Sequence, residues 1–170
     1  MSFLLIANIF SFISASFTVA SSWTKDPHRT YWYQVWQCLL YAIAAYFFGV
    51  YATIIMMVIN AFRNYLVAIQ KYSRSWMLVC TVSSLVAGLA INAGSIPGYL
   101  SVIMTAYYTI SSFYLTGPKA VKINVAIDLS MWFFYDLMVI DIPSGIVDFA
   151  GVLLALVTFW RLWREERHVK

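Results

Sequence analysis

Apolar residues fill the chain in seven blocks, and the polar residues gather in the short stretches between them. The blocks cover roughly 2–20, 31–48, 52–70, 76–92, 98–115, 122–140 and 146–163. Each is about 17–20 residues long, which as a helix rising ~1.5 Å per residue matches the ~30 Å hydrocarbon core of a bilayer. The pattern predicts an all-α polytopic membrane protein with seven transmembrane helices in one integral domain. The first block follows no Lys or Arg, so it is read as a helix and not as a secretory signal.

The spacing of polar residues divides the chain further. The second block opens with the belt aromatics Tyr31, Trp32, Tyr33 and Trp36, and Gln34, Gln37 and Tyr41 recur on one helical face. A short turn at 49–51 makes the second and third blocks antiparallel neighbours. The fourth block holds Ser84-x-x-x-Gly88, a spacing that lets helices approach closely, and little else of chemical interest. Thr105, Tyr108, Thr109 and Ser112 follow one side of the fifth block. Asn124, Asp128, Trp132, Tyr135 and Asp136 fall near one stripe of the sixth, the most polar of the seven. The organisation predicts two parallel three-helix repeats, 1–70 and 98–164, joined by one linker helix at 76–92 and ending in a charged tail at 165–170. Each half has a basic loop, an aromatic-rich second helix, a short turn and a third helix with a deep polar group.

Composition supports this class. The chain is 62% hydrophobic and 11% charged, where soluble domains carry about 25% charged residues. Its net charge of +4 is scattered over short loops, which excludes a nucleic-acid surface. Ten of the eleven Lys and Arg residues follow odd-numbered blocks: Lys25, Arg29, Lys71, Arg74, Lys119, Lys122, Arg161, Arg164, Arg167 and Lys170. The positive-inside rule then places the N-terminus outside and the C-terminus in the cytoplasm. No zinc-ligand spacing, nucleotide loop or catalytic triad pattern is present, so neither an enzyme nor a cofactor is expected. Cys38 and Cys80 read as small packing residues.

The candidate chemistry centres on Ile59-Asn60-Ala61-Phe62-Arg63-Asn64, because strongly polar side chains inside an apolar span mark pathways or buried pairs. Asn60 can donate and accept hydrogen bonds, which suits a sugar or amide, or it can hold two helices together. Arg63 and Asp128 each lie about two turns from the basic end of their helices. They are expected to form a buried ion pair or inner gate, the alternative being an Arg63 that snorkels to the interface. Asp136, Asp141 and Asp148 make the opposite face acidic. Asp148 reads either as a proton carrier or as a first-turn carboxylate favoured by the helix dipole, with Ser144 as cap.

That motif, together with Met131-Trp132-Phe133-Phe134-Tyr135-Asp136, the turn with Ser144-Gly145 and Asp148, and Phe159-Trp160-Arg161, resembles the YgjV family of bacterial inner-membrane proteins. That family is grouped with the SWEET, PQ-loop and PnuC-like proteins. The resemblance implies a triple-helix-bundle repeat and passage of a small polar solute such as a sugar or vitamin by alternating access. It implies that Asn60 lines the solute site, that Trp132 stacks on the solute and that Asp148 takes the place matching Asn60, with Tyr135 beside them. The Pro-Gln pair of PQ-loop proteins is missing from the first block and its loop. The implied partners are the lipid bilayer, the solute and a possible second copy in a homo-oligomer. The alternative is a non-transporting scaffold or ligand receptor on the same fold.

Overall fold

The computed structural model describes residues 3–48, 51–91, 96–139 and 142–169. The turn at 49–50, the loop at 92–95 and Asp141 lie outside the described residues. Among these, seven α-helices follow in order: α1 (Phe3–Trp23), α2 (Pro27–Phe48), α3 (Tyr51–Ala68), α4 (Arg74–Ile91), α5 (Ile96–Tyr114), α6 (Pro118–Val139) and α7 (Ile142–Val169).

Capping chemistry sets several ends. Asp26 precedes Pro27 at the first position of α2, and its Oδ1 accepts a hydrogen bond from the His28 amide at 2.9 Å. An Asp cap followed by Pro is favoured because Pro lacks an N–H that would be orphaned there anyway. The helix thus starts four residues before the apolar block does. Ser73 caps α4 through the Trp76 amide at 3.4 Å. At the end of α3, Gln70 adopts a φ of 57°. The Lys71 amide reaches back to the Leu66 carbonyl at 2.9 Å and the Gln70 amide to Val67 at 3.0 Å. That is a Schellman ending, with a glutamine in the position glycine usually takes.

α7 differs most from its apolar block. It begins at Ile142, with Pro143 in the first turn, and continues to Val169. Its 28 residues reach about 42 Å, so the expected separate tail is helical through residue 169. The tail residues are good helix formers, and they are tied down. Lys25 pairs with Glu165 and Lys119 with Glu166. Arg164 lies over the Trp160 ring and Arg167 over Trp163, one turn apart in each case.

The bundle is apolar outside and polar inside. Phe12, Val86 and Phe134 are 75%, 64% and 61% exposed, whereas Arg63, Asn64 and Lys122 are 2%, 1% and 0% exposed. A water-soluble protein reverses that order, and a lipid-facing surface explains it. α1, α4 and α7 are long and apolar enough to cross a membrane. α3 is apolar over a shorter stretch, Ala52–Ala68.

The packing is sequential. α2 packs on α1 and α3, α6 packs on α5 and α7, α1 closes against α7, and α3 against α5. α4 touches α3 and α5 from outside this ring. Its buried stripe is Met77, Cys80, Ser84 and Gly88. A Cβ on Gly88 would collide with the Val102 side chain of α5, so the small residue is what lets these helices meet. Gly151 does the same service on α7, where a Cβ would come within 2.7 Å of Leu129 Cδ1.

Candidate functional site

Two kinds of residue meet at the centre of the ring: long polar side chains from α2, α3 and α6, and small hydroxyls from α1. They enclose a cavity of about 80 Å³ lined by six helices, to which α4 contributes nothing among the described residues. Asn60, Arg63, Asp128, Trp132 and Asp148 all line it. Tyr135 does not; it supports the wall, its ring packed edge-on against Trp132 at 5.2 Å between centroids. The face Gln34, Gln37, Tyr41 also lines the cavity, as do Asp136 and Ser144 near the turn end of α6 and α7.

Arg63 organises the inner wall. Its Nη1 donates to Asn60 Oδ1 at 3.0 Å and to Thr109 Oγ1 at 3.2 Å. Its Nε and Nη2 both donate to Asn64 Oδ1, at 3.2 and 2.8 Å. The guanidinium carbon lies 4.6 Å above the Tyr108 ring. Arg63 therefore does not snorkel; it is 2% exposed and held by neutral groups and one aromatic face. The expected direct bridge to Asp128 is not formed: no ion pair within 4.0 Å joins them among the described residues. The two charges share the cavity instead. The donors of the guanidinium are nearly used up by oxygens on its own helix and on α5, which are closer at hand than α6.

That arrangement also orients Asn60. Its carbonyl oxygen is occupied by Arg63, which leaves the NH2 as the group it can present to the cavity. Asp148 is the seventh residue of α7, past the first turn, and no acidic residue occupies that turn. Ser144 stands third in the helix and faces the cavity, so the capped first-turn reading of Asp148 does not match the backbone.

Gln34 and Tyr108, picked out in the sequence on the polar faces of their blocks, exchange two hydrogen bonds at 2.8 and 3.0 Å, linking α2 to α5. Other residues were missed by the pattern of apolar blocks. Ser11, Ser14, Thr18 and Ser21 give α1 a hydroxyl stripe along the cavity; their spacing of three to four residues was a readable signal. Lys122, counted as a loop charge from sequence, lies one turn inside α6 with no exposed surface. Its Nζ donates to the Ser21 carbonyl at 2.5 Å and to Thr30 Oγ1 at 2.8 Å. Tyr72, in the link before α4, donates to the Thr109 carbonyl at 2.9 Å. Burial pushes its phenol up from the ordinary value, opposed by the Arg63 charge, so it remains a donor at neutral pH.

Comparison with known proteins gives one match. The model of a family described as Imp-YgjV, bacterial inner membrane protein, covers residues 5–166. No curated protein and no solved structure matches the chain.

Proposed function

Because the chain belongs to the Imp-YgjV family of bacterial inner membrane proteins, we propose that its central cavity binds a small polar solute and carries it across the inner membrane. The observation that carries this reading is a polar cavity at the middle of a bundle whose outer surface is apolar. A scaffold has no use for such a space, since its buried polar groups gain most by satisfying each other. Asn60 offers an NH2 donor, Trp132 an aromatic face and Asp148 a carboxylate, a set suited to a sugar or vitamin-like solute. All seven helices cross the membrane in this reading, with the basic end in the cytoplasm.

The packing supports two halves that rock. Exchange α1 with α5, α2 with α6 and α3 with α7, and the main helix contacts map onto one another: α1–α2 onto α5–α6, α2–α3 onto α6–α7, and α1–α7 onto α3–α5, with the small α1–α6 contact outside the pattern. Such parallel repeats hold solutes between halves near mid-membrane in one transporter plan. The polar links between the halves are of the kind a rocking motion breaks and remakes. Each neutral one contributes about 0.6 kcal/mol in a bilayer, so a handful does not lock the bundle.

The test is a thermal-shift screen of the detergent-purified protein against sugars, vitamins, nucleosides and amino acids, with Asn60→Ala beside it. A solute that stabilises the wild type and not the variant locates binding at Asn60, and uptake into proteoliposomes then follows. A ligand that stabilises but never crosses makes the protein a receptor. Complete silence across the screen counts against solute binding.

A further inference from the structure

A second chamber of about 330 Å³ lies at the basic end, between the start of α2, the ends of α3 and α5, and Tyr72. It sits directly below the central cavity on the same three helices. On α2 the lining passes from Gln34 in the cavity to Tyr31 in the chamber. On α3 it passes from Asn64 to Val67, and on α5 from Tyr108 to Ser112. Each step is three or four residues, about 4.5–6 Å along a helix axis. On the chamber side of the central cavity the reciprocal Gln34–Tyr108 pair joins α2 to α5, one turn from Tyr31 and Ser112, braced by Arg63 over the Tyr108 ring.

Polar groups back the chamber wall. The hydroxyls of Tyr31 and Ser112, on residues 2% and 1% exposed, lie beside each other and beside the amide of the fully buried Asn124, and no hydrogen bond of full geometry joins them. Buried polar groups held this loosely are costly, and a small turn of the Tyr31 or Ser112 side chain toward a ligand in the chamber relieves that cost. Gln70 and His28 add further polar groups, and Tyr72 packs edge-on against Phe113 at 6.3 Å on the wall. Among the described residues the lining holds no Lys, Arg, Asp or Glu. A charged solute would meet no counter-charge on that wall.

We propose that this chamber is the basic-end station of the solute path, that the Gln34–Tyr108 pair is the partition separating it from the central cavity, and that the solute it passes is uncharged and rich in hydrogen-bonding groups. This rests on the transport reading above, but its test needs no transported solute. Cys38 lines the central cavity, so in a Cys80→Ser background it reports access to that cavity. A Ser11→Cys variant of a chain lacking both native cysteines is a second reporter in the same cavity.

A membrane-impermeant, positively charged methanethiosulfonate reagent is applied to membrane vesicles that expose the end bearing Lys25 and Lys71. Labelling is slow with the partition intact. Gln34→Ala or Tyr108→Phe is expected to raise the rate about tenfold, the effect of losing one or two neutral hydrogen bonds. Tyr108→Phe keeps the ring under Arg63, so it separates the partition from the fold. Adding Ser112→Trp to either variant, which fills the chamber, is expected to return the rate to the slow value. The partition is refuted if neither variant speeds labelling at either reporter, or if labelling rises equally from both faces of the membrane, which means a loosened bundle. The chamber is refuted as the route if Ser112→Trp leaves the fast rate unchanged. A transport-inactive protein that still shows this pattern would sink the functional reading and leave the partition standing.

Discussion

At the scale of single residues, Asn60 and Arg63 divide the work of one turn of α3. Arg63 takes the Asn60 oxygen, so what Asn60 offers a solute is its NH2. Asn60→Asp keeps an acceptor for Arg63 and deletes that donor. The variant is expected to melt no lower than the wild type, because the acceptor now carries a charge opposite to the guanidinium. Its affinity for the solute found in the screen should fall about 2–10-fold, the net value of one hydrogen bond. Isothermal titration beside a melting curve separates these effects, and undiminished binding would remove the NH2 from the site. The motif around Asn60 was legible in the sequence because polar residues in an apolar span stand out. Lys122 was not, since a lysine one turn inside a helix and a lysine in the preceding loop look alike without a view of the Ser21 carbonyl it reaches. Nor could spacing along α3 and α6 show that Asn64 and Thr109 would reach Arg63 before Asp128 did.

At the scale of elements, helix ends and helix contacts make separate predictions. Gln70 holds a left-handed φ of 57°, a conformation in which a side chain costs roughly 1–2 kcal/mol. Gln70→Gly is expected to stabilise the protein by about 0.5–1 kcal/mol, since part of the relief is returned as extra freedom of the unfolded glycine. Equilibrium unfolding in detergent reads this directly, and a destabilised Gln70→Gly would mean that the glutamine side chain contributes a contact of its own. On α4, Gly88→Ala drives a methyl into Val102, and overpacking of this kind costs about 1–3 kcal/mol. Val102→Ala in the same chain should restore most of that loss, so a double-mutant cycle should show strong coupling. Independent, additive losses would mean that α4 and α5 are held by something other than this approach. The Ser84-x-x-x-Gly88 spacing announced the contact in advance, because small residues four apart have few other uses in a span. The length of α7 was hidden, because its last turns are charged and the apolar block stops at residue 163, where the helix does not.

At the scale of the whole molecule, basic loops and polar clasps coincide. Lys25, Arg29, Lys71, Arg74 and Lys119 all lie at the end where Lys122 ties α6 to α1 and α2, and where Glu165 and Glu166 of α7 receive Lys25 and Lys119. Exposed pairs such as the last two are worth roughly 0–1 kcal/mol each, so their neutralisation should leave the fold intact. Their cations matter instead for insertion, since Lys and Arg in short loops are retained in the cytoplasm while acidic residues count for little. Green fluorescent protein fused after Lys170 should therefore fluoresce, because it matures only in the cytoplasm, and alkaline phosphatase inserted at 92–95 should be active. Replacing Lys71 and Arg74 with Gln should not change either result, as Lys25, Arg29 and Lys119 still hold the same end inside. A dark fluorescent fusion with active phosphatase at the C-terminus would invert the bundle. The chamber beneath the Gln34–Tyr108 pair would then open to the periplasm, and the partition would face the side from which an imported solute arrives.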